Sequence, residues 1–322
     1  MSKRLSRKGL LALGGCLFVV AASLLPMGGG LVADQAPRRK VKTMDLSSFS
    51  ADAPESPIDL VFLHHSVGGQ LLADKGSADD SGSVHPNGGG LRRMLEDRHY
   101  LVHQATYGSR LGERTDLFDW LPKFRVFMSD VLRIAEQDQP LPDGQVNRVV
   151  LFKSCYPNNL FEGDGGENGN PDGPRLTLAN AKATLRALLP IFAKYPDTLF
   201  VYLTTPPLIG IAHSDPAIKW LAKRVLGKPT TAEKLARQGQ LSRDFANWVA
   251  AEDGWRKDYA LANFVVFDYY DLLTDEGASN FLRYPSGDGL DNHPNADGNR
   301  KAALALVPFL NQAVRRAGLA AR

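Results

Sequence analysis

Cysteine is almost absent: Cys16 and Cys155 are the only two in 322 residues. Cys16 lies in an apolar N-terminal segment, so a chain cut after that segment keeps one cysteine and no internal disulfide. A chain of this length buries enough core to do without one, so the scarcity does not argue against export. Net charge is also scarce, at +3. Part of it belongs to Lys3, Arg4, Arg7 and Lys8, and no basic stripe follows, so nucleic acid is not expected as a partner. There is no internal repeat, which excludes solenoid and propeller arrays. The 43% hydrophobic and 23% charged residues are an ordinary globular balance that can fill a substantial core.

The long uncharged run is at the N-terminus. From Gly9 to Ala33 no residue is charged, and the positive residues come just before. A short apolar core with a small-residue end is the secretory pattern, with cleavage expected after Ala33. The same run is long enough to span a bilayer uncleaved, so a membrane anchor is the alternative. Leu13-Gly14-Gly15-Cys16 resembles a lipoprotein signal only faintly, because the apolar run continues past Cys16 to Pro26. The expected organisation is therefore 1–33 signal peptide or anchor, 34–57 linker and 58–322 folded domain. The expected location is periplasmic or extracellular. The linker reading rests on the Pro, Ser, Asp and basic residues of 34–57 and their lack of periodicity.

Beyond the linker, short apolar runs alternate with helical spacing. Leu60–Leu63, Tyr100–Val102, Val149–Phe152, Leu199–Leu203 and Phe264–Phe267 read as strands. Phe118–Gln137, Leu178–Tyr195, Thr231–Glu252 and Asn299–Ala317 read as helices. This alternation predicts an α/β fold, a five-stranded parallel sheet with helices on both faces. Ligands bind such sheets outside the carboxyl ends of the strands, so the residues after each strand carry the functional information.

After the first strand comes His64-His65-Ser66-Val67-Gly68-Gly69, a serine between a buried strand and turn-forming glycines. That position suits a nucleophile whose own N–H faces a developing oxyanion, though a plain Ser/Gly turn has the same look. Gly108 follows the second strand, where a glycine brings a backbone N–H close to a ligand or simply turns the chain. After the third strand comes Ser154-Cys155-Tyr156-Pro157-Asn158-Asn159, in which an Asn amide either donates to an oxyanion or caps a turn. Cys155 has no basic or histidine-rich context and reads as a packed thiol. After the fifth strand, Ser286–Asn299 holds His293 with carboxylates nearby and leads into the last helix. A carboxylate bonded to one ring nitrogen leaves the other for the serine. Asp288, Asp291, Asn295 and Asp297 could also form a calcium loop, but their spacing does not match the EF-hand pattern.

Taken in order, these segments resemble the SGNH (GDSL-like) hydrolase superfamily over roughly Asp59 to Ala317. The resemblance implies a three-layer α/β/α flavodoxin-like fold. It implies Ser66 as nucleophile, His293 as base and Asp291 as the orienting acid, with Ser66, Gly108 and Asn158 in the oxyanion hole. His65, Asn159 and Asp288 are implied in supporting roles. The usual Gly-Asp-Ser stands here as His64-His65-Ser66, and His65 is the candidate to replace the missing aspartate. The acid normally sits three residues before the histidine, where this chain has Leu290. The implied activity is that of an exported serine esterase that hydrolyses or transfers a small acyl group, with an acylated small molecule or glycan as substrate. No cofactor or metal is implied. A non-catalytic glycan-binding or envelope-assembly protein on the same fold is the competing expectation.

Overall fold

The computed structural model describes residues 30–31, 41–78, 84–212, 215–274, 278, 280 and 283–320. The signal or anchor expected over 1–33 lies outside them, apart from Gly30–Leu31, which pairs antiparallel with Ile211–Ala212.

The central sheet is built from Ile58–Leu63 (β1), Tyr100–Ala105 (β2), Ile134–Glu136 (β3), Gln139–Pro140 (β4), Val149–Phe152 (β5), Leu199–Leu203 (β6) and Phe264–Phe267 (β7). Their order is β4-β3-β2-β1-β5-β6-β7, and every pairing is parallel except β3 with β4. The helices are Ser66–Leu72 (α1), Leu91–Glu96 (α2), Trp120–Val131 (α3), Leu178–Phe192 (α4), Ala217–Val225 (α5), Thr231–Ala250 (α6), Tyr269–Leu273 (α7) and Ala296–Arg316 (α8).

Successive strand residues point to opposite faces, and each face must be covered. Leu60 and Phe62 of β1 join Leu151, Val201 and Val265 in one core closed by α1, α2, α7 and α8. Val61 and Leu63 join Val150, Phe152, Phe200 and Tyr202 in a second core closed by α3, α4 and α6. The protein is thus a mixed α/β fold with a mostly parallel sheet flanked by helices. All residues of β5, β6 and β7 are buried, which is why they read as continuous apolar runs rather than alternating ones.

The five expected strands are all present, but the sheet has seven strands, not five. The extra pair lies at and just past the end of the helix expected over 118–137. Helix α3 stops at Val131, and Ile134–Glu136 runs beside β2. The Asn147 side chain takes up the Leu132 and Ile134 carbonyls at 3.3 and 2.8 Å. Gln137, at φ 52°, then turns the chain into β4. Strands of three and two residues carry too few side chains to override the helical spacing around them.

The expected linker is docked on the body from Val41 onward. Leu46 is buried in the α8-side core, Thr43 bridges Ala251, and the Glu252 N–H donates to the Lys42 carbonyl at 2.9 Å.

Candidate active site

Strand β1 lies inside the sheet with β2 and β5 on either side of it. The chain therefore leaves β1 in one direction along the sheet and later proceeds in the other, and crevices open at the carboxyl ends where that reversal occurs. The segments after β1, β2 and β5 converge there.

Ser66 opens α1, with His65 in extended conformation as its N-cap. Among the described residues no hydrogen bond occupies the Ser66 N–H. The turn is tight: a Cβ on Gly68 would lie 2.3 Å from His64 Cβ, so only glycine fits against that ring. His64 itself is buried, with its ring nitrogens 3.1 Å from the His65 carbonyl and 3.1 Å from Gln104 Oε1. Burial lowers its pKa to about 4, so at neutral pH it is uncharged.

His293 arrives from the other end of the chain. The expected loop is a short hairpin, Pro285–Ser286 (β8) against Asp291–Pro294 (β9), with Gly287–Gly289 at its tip. Asn295 follows as the N-cap of α8, accepting from the Gly298 N–H at 3.0 Å. His293 Nε2 lies 2.9 Å from Ser66 Oγ. His293 Nδ1 lies 2.7 Å from Asp291 Oδ1, which also accepts the His293 backbone N–H at 3.1 Å. The Ser286 hydroxyl donates to Asp291 Oδ2 at 3.0 Å. Burial raises the Asp291 pKa, but the His293 and Ser286 hydrogen bonds outweigh it and hold the carboxyl below its ordinary range. The order of hydrogen bonds is therefore Ser286, Asp291, His293, Ser66. It allows the imidazole to take a proton from the serine while the carboxylate fixes its orientation.

The other expected site residues are placed differently. Gly108 has φ 81°, and its N–H donates to Glu113 Oε2 at 2.7 Å. The Asn158 side-chain nitrogen donates to Asp116 Oδ1 at 2.8 Å and to the Cys155 carbonyl at 3.2 Å, so both of its protons are in use. In this structure, therefore, the donors expected in the oxyanion hole are bonded within the protein, to Glu113, Asp116 and the Cys155 carbonyl. Asn159 donates to the Pro206 carbonyl at 2.7 Å and ties the β5 loop to the β6 loop. His65 does not reach Ser66. Its Nε2 bonds the Gly112 carbonyl at 2.9 Å, and its ring stacks on Tyr107 at 4.0 Å. Asp288 sits at the hairpin tip with φ 56°, in a conformation unusual for a non-glycine residue, and Asp291 has taken the carboxylate position.

The sequence assigns Ser286 and Tyr156 no role, and Cys155 only that of a packed thiol. Ser286 meets Asp291 only because the hairpin folds back. Tyr156 sets its ring edge-on to His293 at 5.2 Å. Cys155 is buried as expected, but its sulfur lies 3.9 Å from Ser66 Oγ and accepts from the buried Lys153 Nζ at 3.3 Å, so a basic side chain does flank it. Lys153 turns to Cys155, while Ser154 between them accepts from Trp120 Nε1 at 2.9 Å.

No family model matches this chain, and no curated protein does. A crystal structure among the solved proteins aligns with 81% of this chain and 96% of its own, at 14% identity and a TM-score of 0.35. Similarity that low bears on neither fold nor function.

Proposed function

We propose that this protein is an exported serine ester hydrolase of the SGNH type, acting through a Ser66 acyl-enzyme on a small acyl ester, with acylated glycans as the preferred substrate class. The single observation that carries this reading is the continuous Ser66–His293–Asp291 arrangement, at 2.9 and 2.7 Å, across 227 residues of chain. The strand order of the five long strands, second-first-third-fourth-fifth, is that of flavodoxin-like sheets and supports the SGNH assignment.

In the proposed reaction His293 Nε2 takes the hydroxyl proton as Ser66 Oγ attacks the ester carbonyl. The Ser66 N–H, at the start of α1, faces the oxyanion that forms. His293 then returns the proton to the leaving alcohol. A water, deprotonated by the same nitrogen, releases the acid, and a sugar hydroxyl in place of water makes the enzyme a transferase. Each well-placed oxyanion donor lowers the barrier by about 3 kcal/mol. Hydrogen bonds of this kind often tighten only when substrate arrives, and Gly108 joins the set when substrate displaces Glu113. The exposed Tyr107 and the half-buried Tyr156 offer aromatic surface for a sugar ring.

The committed donors of Gly108 and Asn158 favour a second reading, a glycan-binding protein that keeps the fold without turnover. A fluorophosphonate probe separates the two. Labelling of wild type, lost in Ser66→Ala together with hydrolysis of short-chain aryl esters and acetylated glycans, supports the hydrolase. An unlabelled wild type that binds glycan supports the second reading.

A further inference from the structure

Among the described residues, helix α5 differs from every other long helix in having no buried residue. Ile218, Leu221 and Val225 fall at helical spacing on one face, 87, 58 and 77% exposed, and Leu226 extends the patch at 66%. A surface helix ordinarily turns such a stripe toward the core. Here the stripe faces outward, although the helix is firmly held. Asp215, at its start, accepts Lys223 Nζ at 2.8 Å and the Thr231 N–H at 2.9 Å, tying the ends of α5 to the first turn of α6.

Cations rim the patch. Lys219, Lys223, Arg224 and Lys228 stand on and just beyond the helix. Asp215 pairs with Lys219 and Lys223, and Glu233 with Arg224. Lys228 lies in the turn after α5 and leaves the excess positive. An apolar stripe bordered by lysine and arginine matches the boundary between acyl chains and anionic headgroups. A second copy facing the same patch would instead bring like charges together.

The position of the helix agrees. Gly30–Leu31, at the end of the uncharged N-terminal run, pairs with Ile211–Ala212, just ahead of α5. The same segment reaches the candidate site, where the Ile209 N–H donates to Asn292 Oδ1 at 2.8 Å.

We propose that α5 is a membrane-docking helix that lays Ile218, Leu221, Val225 and Leu226 into an anionic lipid surface and holds the candidate site beside it. This does not depend on the hydrolase reading. The test uses the full chain carrying Leu221→Trp, mixed with phosphatidylcholine vesicles with or without phosphatidylglycerol, each prepared with and without brominated acyl chains. In vesicles containing phosphatidylglycerol, the added indole should shift to the blue and be quenched by the brominated lipid beyond the wild-type background. Lys219→Glu combined with Lys228→Glu should abolish that extra quenching, with the thermal melt unchanged. An added indole that keeps the emission of a water-exposed side chain, while the chain sediments with the vesicles, overturns the proposal. So does a blue shift without bromolipid quenching, because the patch is then covered by protein, either a second copy or the N-terminal apolar run. Equal quenching in both lipid mixtures also overturns it, because the cations would then have no role.

Discussion

In the proposed reaction Ser66, His293 and Asp291 act together, and a fourth side chain, His64, sets a pH dependence of stability. Asp291 accepts from His293 Nδ1, so replacing it with asparagine would put an amide donor opposite that nitrogen and favour the wrong tautomer. Asp291→Asn should lower kcat for an aryl ester by roughly 10⁴-fold with little change in the thermal melt. A loss of less than tenfold in steady-state assays would remove Asp291 from the mechanism. His64 affects stability instead. In the unfolded chain it takes a proton near 6.5, but in the fold burial keeps it neutral down to about 4. Between those values the unfolded chain binds more protons. Stability is therefore at its full value above 6.5 and falls as the pH drops toward 4, by on the order of 3 kcal/mol. Urea melts taken from neutral pH to about 4 should show wild type losing roughly that much more than His64→Gln. Parallel losses in the two proteins would refute the assignment.

The elements fix where those side chains point. Helix α1 holds Ser66 at its first residue, and it approaches β1 this closely because Gly68 has no side chain against His64. Gly68→Ala would place a Cβ 2.3 Å from His64 Cβ and 2.5 Å from Cγ. The resulting overpacking should cost about 1–3 kcal/mol in a urea melt. Any shift of α1 also lengthens the Ser66–His293 bond, so kcat should fall along with stability; a variant as stable and active as wild type would show that the turn has slack. The hairpin plays the matching part for the base. Asn295 N–H donates to the Tyr284 carbonyl at 2.6 Å and its side chain caps α8, so the His293 strand is fixed at the point where the last helix begins.

In the whole molecule, the candidate site exists because β1 and α8 share one core. Helix α8 packs Leu306, Leu310 and Val314, all fully buried, with β1 residues Leu60 and Phe62 in the same cluster. The Tyr100 hydroxyl donates to Asn311 at 2.9 Å, and Arg315 donates to the carbonyl of Ala53 at 2.9 Å. Leu306→Ala lies far from the chemistry and should cost about 2–5 kcal/mol. Because His293 stands immediately before α8, fluorophosphonate labelling of this variant should disappear over the same urea range in which its fluorescence reports unfolding. Labelling that survives past that transition would mean the site does not need α8 in place.

What the sequence alone determined follows from local rules. Apolar runs must be buried, so the five long strands were readable. Apolar residues recurring at helical spacing mark a face that must pack, so α4, α6 and α8 were found near their true extents. A serine and a histidine on loops after strands marked the candidate pair. The tertiary structure decided whatever depends on which groups become neighbours. Short edge strands β3 and β4 draw their pairing from β2, a distant segment, and carry almost no signal of their own. Whether Gly108 and Asn158 face a substrate or bond Glu113 and Asp116 depends on how the 106–116 loop closes. Asp291 rather than Asp288 meets His293 because the hairpin turns at Gly287–Gly289 and carries Asp288 to its tip. A hydrogen bond requires an approach within about 3 Å, and only the folded chain sets distances between residues far apart in sequence.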